Sequence, residues 1–330
     1  MPRRLVFACE RYDRTDALRD GRVRASGIEL EYLALPVEEL IWRMLGHREF
    51  DVAETSLGSY IVRRDRGVDD LVAIPVFTSR SFRHAALVVR TDSELHDFRS
   101  LRGRRVGVPE YQMTAAVWVR GFLADDAGVE PADIQWVQGG LEVAGRTPRE
   151  RVDPPGVDLV DAPSDATLAG MLATGSLDAL LTARLPSAAA LGGVAIRPLH
   201  PDPAGAARDF FRRTRIFPPM HTVVLRREVL DVDPWVAQSL VTAFARAKEI
   251  AIQALGETSA LAVSLPFLRE HLGDTVELMG RDFWPYGLGP ENRHALSTMI
   301  GYMHREGLIR IAVEPDELFA ESTRSGPFRI

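Results

Sequence analysis

The chain has 330 residues, 46% hydrophobic and 26% charged, with a formal net charge of −6 and no basic tract. That is enough apolar material for a two-lobed globular protein, and it leaves no electrostatic footprint for nucleic acid or an anionic membrane. The single cysteine, Cys9, excludes an internal disulfide, a CxxC redox pair and a multi-cysteine metal site, and in its apolar setting it reads as core.

Arg3 and Arg4 precede an apolar run at 5–9 that is too short for the core of a signal peptide. No later stretch approaches the roughly 20 apolar residues of a membrane span. The expectation is a cytoplasmic protein whose partner is a small molecule, not nucleic acid or membrane, with homo-oligomerisation left open. Residues 5–9, 28–35, 51–54 and 71–77 read as strands, with helices at 16–20, 37–46 and 56–66 between them. Such alternation predicts a parallel sheet flanked by helices.

A further strand is expected at 82–90, and the pattern restarts at SLRGRRVGV (100–108) with Gly103 and a strand at 105–108. A second lobe follows, with a helix at 114–124, a strand at 134–137, a helix at 165–173 and a strand at 179–182. Residues 139–163, rich in Pro, Gly and charge, read as an irregular surface insertion. After Phe217, Pro218 and Pro219, a strand at 222–226 returns the chain to the first lobe. Asp233 and Pro234 open a helix to about Leu255, and the tail is helical again from Pro290, with Gly307 as its stop. The predicted division is 1–90 plus 222–330 for lobe 1 and 91–221 for lobe 2.

Lys248 is the only lysine and lies in the amphipathic pattern of Val236, Leu240, Phe244, Ala247 and Ala251. A Schiff-base mechanism therefore has one candidate residue, and cationic contacts to a ligand must come from arginine. No Gly-x-Gly-x-x-Gly dinucleotide motif occurs.

This element order, with one lobe inserted between two crossing strands, resembles the type II periplasmic-binding-protein fold: two α/β lobes, each a mainly parallel sheet flanked by helices, with a ligand cleft between them. Local strings go further. YDRT at 12–15, FTSRSFRH at 77–84, GVPEYQMT at 107–114 continuing through WVRG at 118–121, DALLTARLP at 178–186, FPPMH at 217–221 and FWPYG at 283–287 resemble the 4,5-dihydroxyphthalate decarboxylase family. The resemblance covers essentially the whole chain. It implies a cytoplasmic carboxy-lyase that converts an aromatic dicarboxylate bearing two hydroxyls, 4,5-dihydroxyphthalate or a close analogue, to protocatechuate or the corresponding mono-acid and carbon dioxide. A ring hydroxyl para to the leaving carboxylate accepts the electron pair, so no organic cofactor is expected.

Under that reading Arg14, Arg80, Arg83 and Arg184, each where a strand meets a loop, are candidates to hold carboxylates by bidentate contact, with Arg83 and Arg184 preferred. Tyr111, Gln112 and Thr114 sit in a strand-to-helix turn whose backbone N–H groups are suited to an anion. His221, then His84, are the candidate proton carriers. Glu54, at a strand end, would donate a proton to carbon if burial raised its pKa. Trp284 and Tyr286 would wall the ring. The plainer readings are surface arginines, a local helix cap, structural histidines, a capping carboxylate and simple packing. A divalent metal would need His84, His221 and Glu54 or Glu110 together; without HxH or HExxH spacing, none is expected. The rival functions are a non-catalytic solute-binding protein for a small anion and a biosynthetic enzyme acting on a different ring.

Overall fold

The computed structural model describes residues 1–148, 150–257, 259–261 and 263–324. The chain opens with β1 (Arg3–Cys9), α1 (Asp13–Arg19), β2 (Ile28–Ala34), α2 (Val37–His47), β3 (Val52–Ser56), α3 (Leu57–Asp65) and β4 (Leu71–Arg80). It crosses into β5 (Leu87–Arg90), β6 (Arg105–Val108), α4 (Thr114–Ala127), β7 (Gln135–Gln138), β8 (Asp158–Asp161), α5 (Leu168–Ala173), β9 (Ala179–Leu181), β10 (Ile196–Pro198) and α6 (Pro203–Thr214). It returns through β11 (Pro219–Arg226), followed by α7 (Arg227–Val232), α8 (Trp235–Leu255), α9 (Leu268–Met279) and α10 (Pro290–Arg305).

Two sheets result, ordered β2-β1-β3-β11-β4 and β10-β5-β9-β6-β7-β8. In the first, β1 pairs in parallel with β2 and β3, while β11 runs antiparallel between β3 and β4. The chain thus changes sheets after β4 and comes back at β11, and the two crossing strands lie side by side. This is the two-lobed architecture that the resemblance implies.

The central strands are buried on both faces, β3 along its whole length and β6 over its last three residues. Phe7, Ala8 and Cys9 are fully buried, with the Phe244 ring of α8 edge-on to Phe7 at 5.3 Å. The second sheet closes a smaller core around Leu168, Leu172 and Leu180. A buried ion pair, Arg120 Nη2 to Glu306 Oε2 at 2.7 Å, ties α4 of the inserted lobe to the end of α10.

Three sequence expectations need correction. The strand expected at 82–90 is only Leu87–Arg90, and it pairs with β9 and β10 in the second sheet, not the first. The reason is local: the Ala86 N–H closes a turn on the Arg83 carbonyl at 3.0 Å, so residues 81–86 carry the crossing. At the other crossing, β11 starts three residues earlier than expected, at Pro219, where a strand's first residue tolerates a missing N–H. Within 139–163, whose residue 149 lies outside the described residues, β8 pairs in parallel with β7 as an edge strand. Its exposed, charged ends, Asp158 and Asp161, hid it. Three helices, α6, α7 and α9, were also unforeseen. One of them, α6, carries a legible start, with Asp202 accepting from Gly205 N at 2.8 Å and Pro203 in first position.

Candidate active site

A cavity of about 530 Å³ lies between the lobes, with Tyr12, Ser56, Arg83, Glu110, Thr114 and His221 in its walls. Its floor is set by strand registry. His221 on β11 faces Ser56 on β3, and Val223 faces Glu54, so Glu54 and His221 are diagonal neighbours on adjacent strands. Register shifts against β4 on both sides of His221 bend β11 locally, a device that re-aims a side chain.

The result is a buried carboxylate behind a cavity-facing imidazole. His221 Nδ1 lies 2.7 Å from Glu54 Oε1; its side chain is 18% exposed and that of Glu54 is fully buried. Nδ1 is engaged, so Nε2 is the ring nitrogen left without a protein hydrogen bond among the described residues. Glu54 also accepts from the Tyr12 hydroxyl at 2.8 Å, the Thr78 hydroxyl at 3.0 Å, the Glu10 N–H at 3.1 Å and the Cys9 thiol at 3.4 Å. Burial alone would push its carboxyl up. His221, by hydrogen bond and charge, together with the Glu10 N–H and the Tyr12 hydroxyl, holds it at about 2 instead. The same burial and the same carboxylate push the Tyr12 phenol far up, so Tyr12 stays a neutral donor. The expectation of Glu54 as a protonated acid is therefore corrected: it is fully desolvated, yet its donors keep it ionised.

Two helix N-termini converge beside His221, whose partner across the ladder is Ser56. Ser56 caps α3, and its hydroxyl lies 3.1 Å from that of Thr114, which also accepts the Gly58 N–H at 2.9 Å. The chains approach so closely that a Cβ on Gly58 would stand 2.5 Å from the Gln112 carbonyl oxygen. By contrast α4 opens at Met113 with no side-chain cap, and Met113, Thr114 and Ala115 all line the cavity. Its first N–H groups and the positive end of its dipole suit an anion.

Among the cavity arginines, Arg83 is the one with no carboxylate partner among the described residues. Its Nε contacts Met220 Sδ at 3.4 Å and its Nη1 the Ala183 carbonyl at 3.1 Å, and burial draws its pKa down. Arg184 stands at the rim, 57% exposed, within 3.6 Å of Glu38 and 3.4 Å of Glu142. Arg146 also reaches across from the irregular segment, to Glu38 at 3.0 Å and Glu110 at 3.5 Å.

Of the expected residues the cavity thus collects His221, Arg83, Thr114 and Arg184, with Glu54 directly behind. The others lie elsewhere. His84 stacks on Phe122 at 4.7 Å inside the second lobe, where burial lowers its pKa to about 4; it cannot share a metal with His221. Among the described residues no group of three or more His, Cys, Asp and Glu is placed to hold a metal. Arg80 is buried and donates to the Phe217 and Pro285 carbonyls, at 2.8 and 2.9 Å, and to Asn292. Tyr286 is buried in the wall of a different cavity. Tyr111 lies under the Arg120 guanidinium at 3.7 Å, and Gln112 is fully buried and donates to Glu110 at 2.9 Å. Arg14 is sandwiched between the Tyr12 and Trp284 rings, at 4.0 and 4.3 Å, and donates to the Thr78 carbonyl, so it and Trp284 brace Tyr12 from behind. Lys248 pairs with Asp282 at 2.7 Å, outside the cavity. Tyr12, Ser56 and Arg146 were missed; Tyr12 sits in the YDRT string, where the arginine drew attention instead.

Residues 15–143 match the model of a family described as ABC transporter, phosphonate, periplasmic substrate-binding protein. Over 316 residues the chain is 40% identical to a Comamonas testosteroni protein named 4,5-dihydroxyphthalate decarboxylase, covering 96% of each sequence. The chain belongs to the 4,5-dihydroxyphthalate decarboxylase family. A Pseudomonas putida protein of that name is 41% identical over 209 residues, 63% of this chain and 81% of its own length. Among solved structures, the periplasmic aliphatic sulphonate binding protein SsuA from Escherichia coli aligns with a TM-score of 0.56 at 15% identity, over 98% of this chain and 99% of its own. The desulfurization enzyme DSZB aligns with a TM-score of 0.51 at 17% identity, over 96% of both chains. These likenesses show the periplasmic-binding-protein-like fold of the family, which serves binding proteins and enzymes alike.

Proposed function

We propose that this chain is a carboxy-lyase that decarboxylates 4,5-dihydroxyphthalate, or a close analogue, to protocatechuate and carbon dioxide in the cytoplasm. The observation that carries the reading is the ionised Glu54 buried behind His221 at the floor of the interlobe cavity, in a member of this family.

One carboxylate is held by Arg83 and the other by the uncapped start of α4 with the Thr114 hydroxyl. Arg184 and Arg146, at the rim, close over the dianion. The proton on the hydroxyl para to the departing carboxylate passes to Glu110 on the second-lobe wall, and the resulting phenolate pushes electron density into the ring. His221, as imidazolium supported by Glu54, protonates the ring carbon that bears the leaving carboxylate. A C–H bond forms and the ring becomes a dienone. Cleavage of the C–C bond then releases carbon dioxide and returns its electron pair to the ring as phenolate. The phenolate recovers a proton, and solvent recharges His221, so one proton is consumed per turnover. The hydroxyl supplies the electron sink, and the chemistry needs neither an organic cofactor nor a metal.

Positioning and charge stabilisation carry most of the rate, with proton transfer adding on the order of 10²- to 10⁴-fold. The test is to mix purified protein with 4,5-dihydroxyphthalate and follow carbon dioxide and the ultraviolet spectrum. Binding without turnover, or equal reaction of hydroxyl-free phthalate, would overturn the proposal. Fractionation of cells with an antibody to the chain tests the cytoplasmic placement.

A further inference from the structure

A second cavity, of about 640 Å³, lies apart from the interlobe cleft, in the angle between the crossing segments and the loop before α10. None of its wall residues lines the first cavity. Its volume falls within the roughly 300–1,000 Å³ of small-molecule pockets.

Its chemistry is unusual for a structural void. Phe211, Phe217, Phe283 and Tyr286 give it aromatic walls, and Arg80 and Arg215 line it as well. Arg80 is buried, with its Nε unpartnered; its other hydrogen bonds go to two carbonyls and the Asn292 amide oxygen, and its guanidinium lies 4.8 Å over the Phe77 ring. Arg215 is exposed, lies 4.6 Å over the Phe211 ring and donates only to the Leu278 carbonyl, at 3.3 Å. Among the described residues neither arginine has a carboxylate partner, although ion pairs are frequent elsewhere in the chain. The Tyr286 hydroxyl is also buried and unpartnered. A buried cation with no carboxylate in contact is costly, and burial lowers the Arg80 pKa to about 9 even though the charge of Asp282, at the exposed rim, acts against it. An anion in the cavity would supply the contact that Asp282 does not make.

The walls also define which anion. Flat aromatic surfaces favour a ring. The rim carboxylates disfavour a second negative charge, for Glu291 is exposed and Asp282, 64% exposed, already holds Lys248. We propose that this cavity is a second ligand site, for an aromatic monocarboxylate, with Arg80 and Arg215 answering the carboxylate while Phe217, Phe283 and Tyr286 enclose the ring. The site goes beyond the proposed reaction and does not depend on it.

Fluorine NMR of 4-fluorobenzoate added to the full-length protein tests it. A bound resonance is expected in the wild type and in Arg83→Ala, which disables the cleft. Met279→Trp, which fills the second cavity, should abolish that resonance while leaving any decarboxylation rate unchanged. Tyr286→Phe, which keeps the ring and removes the hydroxyl, should weaken binding about fivefold and gives the same reading should Met279→Trp fail to fold. Unlabelled benzoate should displace the probe at lower concentration than phthalate. No bound resonance, one lost in Arg83→Ala but retained in Met279→Trp and Tyr286→Phe, or equal displacement by phthalate would each overturn the proposal.

Discussion

Replacing Glu54 by Gln keeps the shape of the side chain and removes its charge, which makes it the sharpest probe of the site. The carboxylate accepts three donors at Oε1, from Tyr12, Thr78 and His221, and two at Oε2, from Cys9 and Glu10. An amide has one acceptor oxygen. With its oxygen in the Oε1 place, its NH₂ meets the Glu10 N–H and the Cys9 thiol; flipped, it meets three donors. Either way a buried donor is stranded, at about 1–3 kcal/mol of stability. His221, the proposed proton carrier, also loses its carboxylate partner, so turnover should fall on the order of 10²- to 10⁴-fold. pH supplies an independent check. A carboxyl held at about 2 against an ordinary 4.5 favours the folded, ionised state by at most roughly 3 kcal/mol. Between those values the unfolded chain binds more protons, so this stability is fully present above pH 4.5 and is lost as pH falls toward 2. The stability gap between wild type and Glu54→Gln should therefore be about 2 kcal/mol larger at pH 7 than at pH 3, measured by urea unfolding at both. A variant with wild-type turnover and a pH-independent gap would refute the role assigned to this carboxylate.

Other substitutions separate the roles of neighbouring residues. Arg83→Ala should raise KM roughly 10- to 100-fold with a smaller change in kcat, since it removes a charge-assisted contact to bound substrate; steady-state kinetics decide. His84→Phe should leave kcat and KM within about twofold of wild type, because His84 stacks in the second lobe away from the cleft, and thermal melting should show no loss of stability. Gly58→Ala drives a methyl to 2.5 Å from the Gln112 carbonyl oxygen and should cost about 1–3 kcal/mol in a denaturant titration.

The first sheet was legible because its strands and helices alternate with little interruption, and only its edges moved. The site was legible in position more than in state. Glu54 ends a short strand and invites attention, but its ionisation depends on donors 24 to 167 residues away in sequence, which no local pattern carries. Arg80 and Arg83 stand three residues apart in one string and part company completely. β4 ends at Arg80, pairing with Pro219, and the side chain turns toward the loop before α10; the turn that follows brings Arg83 to the cleft. Arg146 was hidden by its setting, since the segment around it has no periodicity to show that its guanidinium reaches Glu38 of the other lobe.

The buried pair also bears on why a binding scaffold would carry chemistry here. Removing a carboxylate from water costs several kcal/mol, recovered only where hydrogen bonds and an opposite charge surround it. A cleft that merely holds an anion gains nothing from a negative charge behind its histidine, because that charge weakens the attraction for the ligand. A proton carrier gains directly, since the carboxylate fixes the ring through Nδ1 and leaves Nε2 facing the cavity. The two uses part in one comparison: with Glu54 changed to Gln, a binding site should hold its dianion as well or better, whereas an enzyme should bind and fail to turn over.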